Sequence, residues 1–320
     1  MTDGMSRRQM VRSTVTTVTA GIAGGVAGCT GLLESDGDGS DGADGTTTSH
    51  TRNGASSDGS SIPLEYTRWL YAPTTSGRDA YYPFLFSHDT ALQANKQRLG
   101  ETYQRFAGRE ISFPLLDMDL SYNSVDATLS FPSVGRYFEG SFAPGEVRSE
   151  LEELRYERIG EKAEFTVYRD DVGKEIAITD GAAAAARTEG IVTAIIEAGT
   201  GGGKQYVDAN SDLSTLTETL GTATLVFGQT QPMVQGTNVN DGQFAGVVAT
   251  GATLDLFADG VEMQFVFVFE DGDAVERNAV ESWAEQTDQT DALDDRSVSR
   301  TGRTVVITGT GKAEDTSLGV

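Results

Sequence analysis

The chain has 320 residues, with 48 acidic against 24 basic side chains, a formal charge of −24 and a single cysteine. That charge disfavours nucleic acid and anionic lipid headgroups as partners, and one cysteine excludes an intramolecular disulfide. One cysteine and two histidines are also a poor donor set for zinc or copper.

Residues 1–28 read as an export signal. Ser6-Arg7-Arg8-Gln9-Met10-Val11 precedes a weakly apolar, threonine- and glycine-bearing stretch, and Val26-Ala27-Gly28 stand directly before Cys29. The stretch is too short and too polar to span a bilayer, which takes about 20 apolar residues. Paired arginines, an apolar run and small residues ending at a lone cysteine resemble the signal of twin-arginine-exported lipoproteins. The resemblance implies that Arg7 and Arg8 direct export and that Val26, Ala27 and Gly28 form a lipobox. Cys29 then becomes the lipid-bearing N-terminus, holding the protein to the outer face of the cell membrane. Lysine is scarce (Lys96, Lys162, Lys174, Lys204, Lys312) and acid is spread along the chain, which together with the signal resembles proteins of halophilic archaea. In molar salt the Debye length falls to about 3 Å and carboxylate repulsion is screened.

Residues 29–61 read as a disordered acidic linker of Asp, Gly, Ser and Thr, with too little apolar surface to fold. Asp36-Gly37-Asp38-Gly39-Ser40-Asp41-Gly42 invites a calcium reading, but Asp41 and Thr47 stand where an EF-hand loop needs Gly and Glu.

The body begins near Ile62. Tyr81 to Phe86 predicts an edge strand because of Pro83, and Asp89 to Phe106 a helix with Leu92, Leu99, Tyr103 and Phe106 on one stripe. Two hairpins of matching spacing follow: Ala127 to Phe131 with Tyr137 to Phe142, and Ala252 to Leu256 with Met263 to Phe269. Each leads into a helix, Gly145 to Tyr156 and Ala274 to Gln286, and each helix back into strands. Between them, Glu189 to Ala198 and Leu213 to Leu220 predict helices, the second with Ser211 or Asp212 as N-cap, and Thr222 to Phe227 predicts a strand.

The expected fold class is therefore α+β, with two similar halves, each of antiparallel hairpins packed against helices, over residues 62–232 and 233–320.

Motifs that carry chemistry are weak. Ala198-Gly199-Thr200-Gly201-Gly202-Gly203-Lys204-Gln205 looks like a phosphate loop, but lacks the first Gly and the Ser or Thr after the lysine; a glycine turn ending a helix explains it better. Asp208, Asn210 and Asp212 stand at alternate positions like half a calcium loop, and are weak metal candidates beside the simpler reading of a turn entering a helix. His88 beside Asp89 could orient an imidazole, or be a helix-cap turn. Glu150, Glu152, Glu153 and Glu157 read as a solvated helix face with Arg148, Arg155 and Arg158. Trp69, Tyr71, Tyr81, Tyr82 and Phe84 read as core, or as a stacking platform if exposed.

No catalytic residue and no cofactor stand out. The expectation is a membrane-anchored, non-enzymatic interaction or envelope lipoprotein. Its partners would be the membrane, through a lipid on Cys29, and an unidentified protein or small solute, with no nucleic acid. The alternative is a solute-binding lipoprotein of a transport system.

Overall fold

The computed structural model describes residues 66–73, 81–99, 112–113, 118–119, 125–131, 134–258 and 260–313. All of them fall in one unit, Arg52–Gly319. A helical turn at Tyr66–Trp69 leads to β1 (Tyr82–His88) and α1 (Asp89–Ala94), then the short pair β2 (Ser112–Phe113) and β3 (Met118–Asp119). Next come β4 (Val125–Phe131), β5 (Gly135–Gly140), α2 (Pro144–Glu153), β6 (Glu157–Lys162), β7 (Phe165–Arg169), β8 (Glu175–Ile178), β9 (Ala182–Ala186) and α3 (Ile191–Thr200). The chain continues through α4 (Ser211–Leu220), β10 (Leu225–Thr230), β11 (Val247–Phe257), β12 (Gly260–Phe269), α5 (Arg277–Gln286), β13 (Leu293–Thr301) and β14 (Thr304–Gly311).

Twelve of the strands form one antiparallel sheet in the order β13-β14-β12-β11-β10-β1-β4-β5-β9-β8-β7-β6. This overturns the expected division into two similar α+β halves. The two hairpins exist as β4–β5 and β11–β12, and each leads into a helix, α2 or α5. But β1 pairs with β10 on one side and β4 on the other, so the sheet runs without a break between the hairpins. The wings also differ, since four strands (β6 to β9) follow α2 and only two (β13, β14) follow α5.

Burial explains why the sheet stays whole. Strand side chains alternate between faces, and one face carries a single apolar cluster reaching across both wings. It includes Phe84 and Phe86 of β1, Tyr137 of β5 and Val266 of β12, covered by Trp69, Val192 and Ile195 of α3, and Leu213 and Leu216 of α4. The other face carries two clusters. Val147 and Leu151 of α2 cover Phe138, Ile176 and Ile178; Val280 and Trp283 of α5 cover Phe265, Phe267 and Ile307. Splitting the chain between the hairpins would expose the shared face.

Several local expectations are corrected by this topology. Pro83 does not mark an edge: β1 is central. Pro83 lies opposite Gln229 of β10, whereas pairing with β4 begins only at Leu85, opposite Ser130. The proline therefore occupies the stretch of β1 with one strand neighbour, where a missing N–H costs least. The helix expected from Asp89 stops at Ala94; Leu92 and Leu99 are buried, while Tyr103 and Phe106 lie outside the described residues. Glu157 and Arg158 belong to strand β6, not to a helical face, although Arg148 and Glu152 do form the expected i,i+4 pair at 2.8 Å.

The run Ala182–Ala186 is strand β9, with every residue buried. Alanine favours helix, but here it lies between β5 and β8 with apolar layers on both faces, and burial outweighs propensity. The sheet ends in β6 and β13, whose side chains are mostly exposed and include Glu157, Arg158, Glu161, Asp294 and Arg300. Charged edges of this kind resist pairing with further chains.

Candidate functional site

The site is built from the chain upward at the end of α3. Gly201 closes that helix in the left-handed conformation, with φ of 79°, as a glycine C-cap does. The glycine run after it is thus a helix stop; the helix that follows, Tyr206–Ala209, is a single turn whose cap residue Gln205 makes no side-chain cap bond, and Gln205 stands where a phosphate loop needs Ser or Thr. One position inside the helix, Gly199, carries no side chain, and the indole of Trp69 lies against it. Trp69 in turn stacks on Tyr137 of β5, with ring centroids 3.8 Å apart and planes 22° from parallel.

Around this stack lies a groove of about 780 Å³, bounded by the Tyr66–Trp69 turn, β5, β7, the β8–β9 turn and the end of α3. Residues two apart on a strand share a face, so β5 presents both Tyr137 and Glu139. Tyr137 Oη donates to Glu139 Oε1 at 3.3 Å. Arg68 places its guanidinium carbon 4.9 Å from the Trp69 ring centroid and its Nη2 3.8 Å from Glu139 Oε1. That separation is longer than the 2.7–2.9 Å of a charge-assisted hydrogen bond. Asp126, Glu164 and Asp180, all exposed, add three carboxylates to the lining.

Two donors here have no acceptor: Arg68 Nε–H and the Nε1–H of Trp69, a residue only 3% exposed. Burial raises the Glu139 carboxyl above the usual range, opposed by the Arg68 charge and the Tyr137 hydrogen bond. Burial likewise raises the Tyr137 phenol, and the Glu139 charge adds to it. The arrangement holds the protein's own cation, Arg68. A cation over an aromatic face gains from the ring quadrupole, and a half-buried carboxylate beside it anchors the cation.

The residues singled out in the sequence are placed as follows. Arg7, Arg8, Val26, Ala27, Gly28 and Cys29 lie outside the described residues, as does the linker. Asn210 caps α4, its Oδ1 accepting from Asp212 N at 2.9 Å and Leu213 N at 3.0 Å; the expected caps, Ser211 and Asp212, lie inside the helix. Asp212 is bound by Arg303 Nη1 at 2.6 Å, and Asp208 is exposed on the preceding one-turn helix, Tyr206–Ala209. Their oxygens do not converge, and among the described residues no group of three or more His, Cys, Asp or Glu is set to hold a metal.

His88 ends β1 and makes no cap bond; its ring meets Phe86 edge-on at 4.8 Å. Asp89 turns away to accept Ser87 Oγ at 2.9 Å and Thr128 Oγ1 at 2.5 Å. Burial lowers the His88 pKa, and the charge that opposes this is that of Asp255, not Asp89. Of the aromatic cluster, Trp69, Tyr71, Tyr82 and Phe84 are buried and Tyr81 is exposed, which is the core reading.

Sequence reasoning missed Arg68 and Glu139. The available signals were the Arg68-Trp69 neighbours and the Tyr137-x-Glu139 alternation in a predicted strand, but only the sheet order brings the two together.

Neither a family model nor a curated protein matches the chain. Among solved structures it is similar to TP0453 in crystal form III, at a TM-score of 0.43 and 10% identity over 80% of this chain and 96% of that one. Crystal form I of TP0453 matches at 0.42 and 12%, over 82% and 95% of the two chains.

Proposed function

We propose that this chain is a non-enzymatic extracytoplasmic lipoprotein that binds a soluble ligand while tethered to the outer face of the cell membrane. The signal bearing Arg7 and Arg8 directs export, a lipid on Cys29 anchors the product, and residues 29–61 hold the body away from the bilayer. The order of Arg7-Arg8, apolar run, Val26-Ala27-Gly28 and Cys29 carries the location. Among the described residues no helix is long and apolar enough to cross a membrane. Because one lipid chain anchors only marginally, stable attachment calls for two alkyl groups on Cys29.

The binding part of the proposal rests on the groove at Trp69. Its volume of about 780 Å³ lies in the range of small-molecule sites, roughly 300–1,000 Å³. The same observation favours a second reading, a solute-binding lipoprotein that hands its ligand to a transporter. Against it stands the single antiparallel sheet, which has no cleft at the carboxyl ends of parallel strands.

The test is a mass measurement of the mature N-terminus together with fractionation of a Cys29→Ser variant. A lipid-modified Cys29 and release of the variant into the medium are expected. An unmodified Cys29, or a variant that stays with the membrane, overturns the anchor.

A further inference from the structure

Both end strands of the sheet are interrupted. In β6 the register with β7 shifts between Arg158 and Gly160. In β13 it shifts between Asp294, opposite Thr310, and Ser297, opposite Thr308, so that Asp295 and Arg296 face the single residue Gly309. Asp295 takes the left-handed conformation, with φ of 50°, which Asp enters more readily than most side chains. The bulge is held from the side. Arg296 Nη1 donates to Ala284 O, near the end of α5, at 2.7 Å and to Thr290 Oγ1 at 3.4 Å.

The remainder of β13 is also obstructed. Phe269 N donates to Arg303 O. Backbone groups of successive antiparallel residues alternate in direction, so Val305 and Ile307 point their N–H and C=O toward β12. Arg300 and Val298, registered with Val305 and Ile307, therefore point theirs away from β14, where an added strand would lie. There the Val298 carbonyl accepts from Arg277 Nη2 at 3.4 Å, and Glu281 steadies that arginine through its Nε at 2.8 Å. The bulge stops a partner strand before Val298, and Arg277 occupies the acceptor at Val298 itself. Exposed edge charge such as Asp294 and Arg300 repels partners at low salt but is screened in molar salt, where the Debye length is about 3 Å. A bulge acts through backbone geometry, which salt does not screen.

We infer that the Asp295 bulge and Arg277 close the β13 edge to a second copy of this chain, and that they, rather than edge charge, do so in molar salt. The partner kept out is the chain itself, because an open antiparallel edge is self-complementary about a two-fold axis. The inference is independent of the groove at Trp69.

The test uses the full chain carrying Cys29→Ser, so that it is studied in solution. Deleting Asp295 restores one-to-one pairing with β14, and Arg277→Leu frees the Val298 carbonyl. The chain with both changes should double in mass by light scattering in molar salt, and its Val298 and Arg300 amides should become protected from hydrogen exchange. The parent should keep its monomer mass from about 0.1 M to about 1 M potassium chloride. So should a chain with Asp294→Ser and Arg300→Ser, which loses edge charge but keeps the bulge and Arg277. If circular dichroism shows that deleting Asp295 unfolds the chain, Arg277→Leu alone decides, at a side chain 52% exposed; it should dimerise with rising concentration in molar salt. A parent or a charge-stripped chain that dimerises there overturns the inference. So does a folded edge variant that stays monomeric, or a dimer in which those two amides remain unprotected.

Discussion

The indole of Trp69 lies so close over Gly199 that a Cβ built on that glycine would stand 1.9 Å from the ring's Cε3. No rotamer change of a neighbour relieves such an approach, because the ring is held from its other side by Tyr137. Gly199→Ala gains helix propensity of about 1 kcal/mol, but overpacking costs about 1–3 kcal/mol and more where the ring has no room to move. The variant should melt lower, with a red-shifted Trp69 emission in a Trp283→Phe background. A melting point equal to or above the parent's would show that the ring is not wedged there.

Asp89 sets a pH dependence of known sign. Burial raises its carboxyl from 3.8 to about 6, against the hydroxyls of Ser87 and Thr128, which favour the charged form. An acid whose folded pKa is raised stabilises the fold below its unfolded value, and the contribution is lost as pH rises through the folded value. Relative to Asp89→Asn, the parent should therefore lose stability between about pH 4 and pH 6, by a few kcal/mol at most. Urea midpoints of both proteins at pH 4.5 and 7.5 measure this. A parent that gains on the variant as pH rises contradicts the assignment.

The start of α4 tests the metal question. Asn210 Oδ1 is used by two backbone N–H groups and Asp212 by Arg303. Chelation by EDTA should leave the melting temperature unchanged. Asn210→Ala should cost about 1 kcal/mol, the worth of an N-cap. Arg303→Ala should cost more, because it leaves the Asp212 carboxylate, 4% exposed, without its counter-charge and strips donors from Ser211, Thr215 and Phe269. Equal losses would mean that the Asp212–Arg303 pair contributes nothing beyond its surface part.

Since the whole chain carries a formal charge of −24 with acid spread along it, the body should gain stability steeply with potassium chloride and level off once the Debye length falls below the spacing of surface carboxylates. Circular dichroism from about 0.01 M to molar salt follows this. A melting temperature flat across that range removes the halophilic reading.

The two hairpins, the helices α2 to α5 and the glycine stop after α3 were legible because each is a local pattern. Alternation marks β4–β5 and β11–β12, and leucine spacing marks α4. Strand order is not local. Nothing near Pro83 indicates that Leu85 and Phe86 will be enclosed by β4 and β10, and nothing in the run Ala182–Ala186 indicates that β5 and β8 will close on it. The same limit hid the site. Arg68 and Glu139 lie 71 positions apart, and only the β1–β4–β5 pairing carries one toward the other. Asn210 was missed as a cap because Ser211 and Asp212 beside it have equal preference.

The first strand of the sheet in chain order is a middle strand in space. Tyr82 is registered with Thr230, and Leu85 with both Phe227 and Ser130. During synthesis β1 thus waits for nearly 150 further residues before its second side is covered, a long loop to close. Each hairpin pairs chain neighbours, whereas the seam joining them pairs strands far apart in the chain, the kind of contact that slows folding. A chain truncated before β10 would leave Phe84 and Phe86 on a strand with one neighbour and would strip Val226 and Val266 from the apolar cluster that the two wings share.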